Sequence, residues 1–342
     1  MIIFNLPHNR LFRINNLGGK VMSQPTATVF GGSGGMGQYV VRELYRKGYR
    51  VRVVARSEEK IKKRLHDVDV EVLTGDAMDP RLTRRACEDS SLVFHSIGFP
   101  YLEWEEKQFP VMESLLKGAS GDGRTFVLVH SIHSYGIPNT NPVSEDHPTR
   151  PKTKKGKIRL KMEQMLQEAH DHGDVQGVIV RFPDFYGPHA TNSYMDYIVS
   201  TALKKKKIHW IGPLEVKREY IYVPDGAKAL VELALSGKAG GEAWNIGGQE
   251  VSGTKILDTI GKILDKDLSG KSIPKWMLRM MGWFNPDMKE MVELFYLYED
   301  RFVLDCTKYE KRMGRIPVTP LDQGIQETLR AKRDWGSSEF NT

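Results

Sequence analysis

Up to about residue 190, apolar positions come in short, nearly unbroken runs separated by segments with helical spacing. The runs Ala27–Phe30, Tyr49–Arg56, Val68–Leu73, Ser91–His95, Thr125–His130 and Val175–Arg181 predict strands, several rich in β-branched residues. Between them Gln38–Leu44, Glu58–Leu65, Asp79–Cys87, Gln108–Lys117 and a long segment from Lys154 to Ala169 predict helices. Strands that are apolar throughout and alternate with helices belong in a parallel sheet covered on both faces, an α/β doubly wound fold. Beyond about residue 188 the pattern loosens. Helical stretches at Tyr194–Lys204, Gly226–Leu235, Gly253–Leu264 and Asp287–Tyr298 alternate with short strands and Pro/Gly breaks. They predict a smaller, interleaved C-terminal α/β lobe over residues 189–335, with a segment near 215–250 crossing back to the first domain at 23–188.

The glycine-rich run Gly31-Gly32-Ser33-Gly34-Gly35-Met36-Gly37 lies between the first strand and the first helix. Strand, tight turn and helix N-terminus together make a phosphate site. The turn lets the backbone approach the anion, and the helix offers unpaired N–H groups and a positive dipole end. That context points to a Rossmann-type domain holding a dinucleotide. The spacing is G-x-x-G-x-x-G, through Gly31, Gly34 and Gly37.

Further motifs follow in order: Leu73-Thr74-Gly75-Asp76-Ala77, Val93-Phe94-His95-Ser96-Ile97-Gly98, Val129-His130-Ser131-Ile132-His133-Ser134-Tyr135-Gly136, Arg181-Phe182-Pro183-Asp184-Phe185-Tyr186-Gly187-Pro188 and Arg218-Glu219-Tyr220-Ile221-Tyr222-Val223-Pro224-Asp225. With Asn245-Ile246-Gly247 and Arg315-Ile316-Pro317, they resemble the extended short-chain dehydrogenases, the NAD-dependent epimerase/dehydratase family, from about Thr26 to Lys332. The resemblance implies that Gly31, Ser33, Gly34, Gly35, Met36 and Gly37 hold the cofactor pyrophosphate. By the same resemblance Asp76 and Ala77 meet the adenine, and Ser96, Ile97, Gly98, Phe182 and Pro183 line the cofactor. It implies substrate contacts for Asp184, in the family's Asn seat, and for Tyr186 and Arg218, with Ser131 on the substrate oxygen.

Charge at the end of the second strand bears on cofactor choice. An NAD-selective site places Asp or Glu there, but the seat is Ala55, followed by Arg56, Ser57 and Lys60. A guanidinium and a hydroxyl complement a 2′-phosphate, which favours NADP, with NAD as the alternative.

The family's Y-x-x-x-K places both side chains on one helix face, the Lys lowering the Tyr pKa. Here the alignment sets Lys155 in the Tyr seat and Arg159 in the Lys seat, and no tyrosine occurs between Tyr135 and Tyr186. Arg159 would keep the ribose contact. The acid/base group is then Lys155 or a relocated Tyr135, Tyr186 or His133. The segment Pro151-Lys152-Thr153-Lys154-Lys155-Gly156-Lys157-Ile158-Arg159 resembles a subgroup of the superfamily that carries D-F-Y-G-P and lacks the Y-x-x-x-K tyrosine.

Composition narrows the partners. The net charge is +7, and the basic clusters Lys152–Lys161 and Lys204–Lys207 carry no interleaved aromatics, so they read as solvated faces rather than a nucleic-acid surface. No apolar run is long enough to span a bilayer, which leaves no membrane partner. Two distant cysteines, Cys87 and Cys306, fit a reducing, cytoplasmic setting without disulfides. The pairs His130/His133 and His170/His172 lack ligand spacing, so no metal is expected. Residues 1–22 read as a disordered extension or as sequence preceding a start at Met22. The expected protein is an NADP-dependent oxidoreductase or epimerase/dehydratase-like enzyme. Its substrate would be a hydroxyl- or carbonyl-bearing small molecule, with sugars and nucleotide sugars as candidates. The alternative is a catalytically silent NADP-binding sensor or scaffold. The resemblance further implies a homodimer through the helices at Gln108–Lys117 and Lys154–Ala169.

Overall fold

The computed structural model describes residues 24–121, 123–191 and 193–339; the extension expected over residues 1–22 lies outside the described residues. The first half of the chain runs β1 (Thr26–Phe30), α1 (Gly35–Arg46), β2 (Arg50–Ala55), α2 (Glu58–Arg64), β3 (Glu71–Thr74), α3 (Pro80–Cys87), β4 (Ser90–His95), α4 (Trp104–Ala119), β5 (Thr125–Ser131), α5 (Lys154–Asp171) and β6 (Gln176–Phe182). The second runs β7 (Asp184–Tyr186), α6 (Tyr194–Lys204), β8 (Lys207–Ile211), β9 (Lys217–Tyr222), α7 (Val223–Leu235), β10 (Glu242–Asn245), β11 (Gln249–Ser252) and α8 (Gly253–Leu264). It closes with β12 (Ser269–Ile273), α9 (Lys275–Gly282), α10 (Pro286–Glu293), α11 (Tyr296–Glu299), α12 (Thr307–Met313) and α13 (Leu321–Glu339).

Seven strands form one parallel sheet in the order β10-β6-β5-β4-β1-β2-β3. Their apolar runs are buried from both sides. Val40, Val41 and Leu44 of α1 pack with Leu230 and Val231 of α7 on one face, while Met112 and Leu115 of α4 pack with Met162 and Leu166 of α5 on the other. The chain winds outward from β1 to β3, then returns to start β4 on the other side of β1. That reversal opens a crevice at the C-terminal ends of β1 and β4, where doubly wound sheets bind ligands.

Side-chain caps set several helix starts. Ser57 accepts from Lys60 N at 3.2 Å, Asp79 from Arg81 N at 2.9 Å and Thr153 from Gly156 N at 3.1 Å. The helix α1 differs: its cap is Gly34, which has no side chain to spend on the first turn.

The remaining strands form a three-stranded sheet, β11-β9-β7, and a two-stranded sheet, β12-β8. Ile198, Trp210, Ile256, Leu278, Phe295 and Tyr298 fill the core between them and the C-terminal helices. The strand β10 pairs with β6, so the chain returns to the large sheet after β9. Two local expectations need correction. The single helix expected over Asp287–Tyr298 is two, α10 and α11, because Leu294 and Phe295 turn into the core between them. The helix expected from Gln108 begins at Trp104, whose indole is buried.

Candidate functional site

A cavity of about 750 Å³ opens where the two lobes meet, at the C-terminal edge of the sheet. Its floor is Gly34, Gly35 and Met36, the turn Ser96-Ile97-Gly98 after β4, and Phe182-Pro183 after β6. Its far wall comes from α6, β8, β9 and the α9–α10 hairpin, including Met281, Met288 and Met291. A second hollow of about 590 Å³ lies on the outer lobe beside α8, lined by Asp258, Lys262, Asp265 and Lys266, away from every motif.

The glycine turn is shaped for close approach. Gly31 has φ +83°, and a Cβ there would sit 2.6 Å from the Ser96 carbonyl oxygen. A Cβ on Gly37 would fall on the Gly31 carbonyl, and one on Gly35 would lie 2.8 Å from Ala190 Cα. The Gly34 N–H donates to Gly31 O at 2.9 Å, closing the turn. With no side chain capping α1, its first N–H groups face outward, as a pyrophosphate requires. The residues present therefore fit a dinucleotide. Ser33 is half-buried in the same turn.

Arg56, Ser57 and Lys60 stand exposed after β2, with no carboxylate in the Ala55 seat. Ser57 already spends its hydroxyl on capping α2. Partial desolvation, together with the cations Arg64 and Arg56, lowers the Lys60 ammonium pKa. After β3, Asp76 Oδ1 accepts from Met78 N at 2.9 Å and so shapes the turn that buries Ala77.

At the end of β5, Ser131 lines the cavity and its Oγ lies 2.8 Å from His133 Nδ1. His133 Nε2 in turn lies 3.5 Å from the Tyr101 hydroxyl. The loop after β4 folds back over this point because Trp104 Nε1 donates to Phe99 O at 2.8 Å, pinning the turn that carries Tyr101. Arg159 enters from α5 with its guanidinium 4.2 Å from the Trp104 ring centroid, and its Nε has no hydrogen-bond partner. Burial, reinforced by Arg159 and Lys155, pulls the His133 pKa down to about 3. Burial and Arg159 do the same to His95. Both imidazoles are neutral at neutral pH. Burial, and next the Asp184 carboxylate, raises the Tyr101 phenol above its usual range.

Three expected site residues stand elsewhere. Lys155 is absent from the cavity lining; its ammonium is buried against Glu290 and lies 3.4 Å from Glu293 Oε1, because α10 docks on the start of α5. It is held between two carboxylates at the joint of α5 and α10. Tyr135 is fully buried, donating to Asn245 Oδ1 at 2.8 Å and accepting from Arg181 at 2.9 Å. Tyr186 packs against Tyr222 in the outer-lobe core, ring centroids 5.4 Å apart. By contrast, Arg218 and Asp184 both line the cavity and pair at 2.8 Å. The Arg218 guanidinium is enclosed by the rings of Tyr194, Tyr220 and Tyr298, and one of its terminal nitrogens has no partner. Sequence reasoning missed Tyr101, Trp104 and the methionines of the far wall. The only available signal was the aromatic spacing Phe99, Tyr101, Trp104 just past the Ser96-Ile97-Gly98 turn. Among the described residues, no group of three His, Cys, Asp or Glu side chains could hold a metal, and no helix is long and apolar enough to cross a membrane.

A profile of the NAD dependent epimerase/dehydratase family matches residues 27–247. Among curated proteins, the dTDP-glucose 4,6-dehydratase of Escherichia coli is 27% identical over 161 residues, covering 44% of this chain and 40% of that enzyme. The UDP-glucose 4-epimerase of Bacillus subtilis is 24% identical over 287 residues, covering 72% of this chain and 83% of the epimerase. The match thus spans less than half the length of the dehydratase. A solved UDP-glucuronic acid 4-epimerase from Bacillus cereus, in complex with NAD, has a TM-score of 0.75 at 19% identity, covering 91% of this chain and 99% of its own. A dTDP-glucose 4,6-dehydratase from Bacillus anthracis in complex with NAD scores 0.72 at 17% identity, covering 91% and 97%. At these identities the structural likeness is one of fold.

Proposed function

The chain belongs to the NAD dependent epimerase/dehydratase family, and we propose that it is an NADP-using oxidoreductase or epimerase acting on a hydroxyl- or carbonyl-bearing small molecule, with a nucleotide sugar as the leading substrate class. The observation that carries this reading is the Gly31–Gly37 turn opening directly into a two-lobed cavity with Ser131 at its base. When bound, the nicotinamide cofactor would accept or return a hydride. The chain's own residues divide the remaining work. Gly34, Gly35 and Met36 would receive the pyrophosphate, and Arg159 would take the ribose contact. Ser131 would hold the substrate oxygen. Arg218, buried with an unpartnered nitrogen, supports an anionic substrate group such as a diphosphate. The names of the relatives point the same way. The exposed Arg56, following an Ala55 seat that holds no carboxylate, supports NADP over NAD.

Two measurements test the reading. Titration by intrinsic fluorescence should give tighter binding of NADP than of NAD. Incubation with nucleotide sugars and simple carbonyls should then show NADPH oxidation or an epimerised product. Tight binding with no turnover across a broad panel favours the second reading, a silent nucleotide sensor. The observation that favours this alternative is Lys155, buried in an ion pair at the seat of the family's tyrosine. The half-buried Phe109, Leu116, Leu160 and Met165 on α4 and α5 support a homodimer through those helices; a monomer in sedimentation equilibrium would contradict it.

A further inference from the structure

We propose that a hydrogen-bonded chain from Ser131 through His133 to Tyr101 carries the substrate proton, in place of a tyrosine on α5. This rests on the oxidoreductase reading for its substrate but on this chain's own geometry for its path. The seat on α5 holds Lys155, which Glu290 and Glu293 occupy. The loop after β4 instead brings a phenol to the cavity, its ring centroid 6.0 Å from the Lys155 ammonium. Ser131 Oγ to His133 Nδ1 is 2.8 Å. The His133 Nε2 to Tyr101 hydroxyl distance, 3.5 Å, is at the long limit for a hydrogen bond. Such contacts tighten in many enzymes only once substrate fills the site.

The surroundings suit a relay that never carries charge for long. Around His133 stand Arg159 and Lys155 of α5 and the indole edge of Trp104, with ring centroids 5.7 Å apart. Around Tyr101 stand Arg159 and Lys155, Asp184 of β7, Glu293 of α10 and Tyr296 of α11. Two cations beside His133 disfavour an imidazolium, so the ring passes protons by exchanging tautomers. In the oxidising direction the substrate O–H bond breaks and its proton moves to Ser131 Oγ. The serine's own proton passes to His133 Nδ1, and the Nε2 proton passes to the Tyr101 oxygen. Tyr101, which lines the open cavity, passes its own proton to water there. Every group ends with its starting number of protons, and the imidazole ends in its other tautomer. Reduction runs the same path backwards. Ser131 alone touches substrate; His133 and Tyr101 act through it.

The test uses the full chain and three variants: Tyr101→Phe, His133→Gln and the double variant. Each single change should lower kcat on the order of 100-fold with KM within about threefold. The double variant should lose no more than either single one, because the two residues form one path. Added imidazole should restore part of the rate in a His133→Gly variant. Independently of turnover, the 15N chemical shifts of the His133 ring should report two exchanging neutral tautomers in the wild type. In Tyr101→Phe they should collapse to one. A Tyr101→Phe enzyme with kcat within threefold of wild type, or a tautomer equilibrium unmoved by that change, would overturn the relay. A wild-type chain that binds neither NAD nor NADP overturns the oxidoreductase reading instead, while the ring shifts still decide the relay.

Discussion

Lys155 meets Glu290 in a buried ion pair where α10 docks on α5, with Glu293 Oε1 a further 3.4 Å from the same ammonium. The pair anchors the helix that carries Asp287, Met288 and Met291 into the cavity wall. The ion pair thus holds this wall of the cavity in place.

Lys155→Met should lower stability and raise KM while leaving the pH dependence of kcat in place. Breaking a fully buried pair costs about 3–5 kcal/mol. The two glutamates here are about a quarter exposed and can regain water, so roughly 1–3 kcal/mol is expected. Urea denaturation and a pH–rate profile check both halves; a profile that loses its acid limb would restore Lys155 as the base.

Tyr135→Phe tests the opposite assignment. The hydroxyl links Arg181 and Asn245, and Arg181 in turn forms a two-pronged pair with Glu163 at 2.8 and 2.7 Å. Removing the hydroxyl leaves buried polar groups short of a partner, at a cost of about 1–3 kcal/mol. The melting temperature should fall and dinucleotide affinity should not.

Gly37→Ala should abolish dinucleotide binding, because its Cβ would fall on the Gly31 carbonyl and force the turn open. Gly48→Ala is the control. Gly48 has positive φ, +86°, but nothing lies within 4 Å of its Cβ. It should cost about 1–2 kcal/mol of stability and leave affinity unchanged. Fluorescence titration of NADP separates the two.

Arg56→Asp should reverse cofactor preference. Losing a charge-assisted hydrogen bond to phosphate is worth about 1.5–3 kcal/mol. NADP affinity should therefore fall roughly tenfold to a hundredfold, while NAD affinity holds or improves. Equal losses for both cofactors would remove Arg56 from the 2′-phosphate site.

Acid should destabilise the fold steeply. His95 and His133 titrate at about 3 when folded and near 6.5 when unfolded, burial being the first cause and Arg159 the second. Between those values the unfolded chain binds more protons, so their contribution is complete above about pH 6.5 and is lost as pH falls towards 3. Glu219 works the other way. Burial pushes its carboxyl from 4.5 to about 7, so its contribution is present below about pH 4.5 and is lost as pH rises to 7. The two oppose each other between pH 4.5 and 6.5; in more acid solution the histidines are joined by Asp67, Glu250 and Asp305, whose carboxyls are held low by their hydrogen-bonding and cationic partners and whose contribution is lost in the same direction. Urea midpoints across pH 3.5–7.5 should show a shallow upper limb and a steep lower one, the latter softened in His95→Asn.

The sheet and its glycine turn were legible because their signals are local. A buried parallel strand must be apolar along its length, so Val51, Val53 and Val54 announce β2 without help from the rest of the chain. The turn at Gly31 demands a positive φ that side chains resist, so it too is written in residue type. The absence of a tyrosine from α5 was equally plain. What replaces it was not. Helical spacing puts Lys155 and Arg159 on one face of α5, yet only the packing of α10 on that helix sends one into an ion pair and the other into the cavity. Likewise Tyr135 looked like a site residue until β10 supplied Asn245 as its partner from 110 positions away. Tyr101 belongs to a loop whose course is set by one indole hydrogen bond and by what it folds against. The sequence by itself determined a dinucleotide-type α/β fold and a missing proton donor, because both depend on neighbours along the chain. The tertiary structure alone decided which side chains face the cavity, because that direction is fixed by contacts between segments that periodicity does not relate.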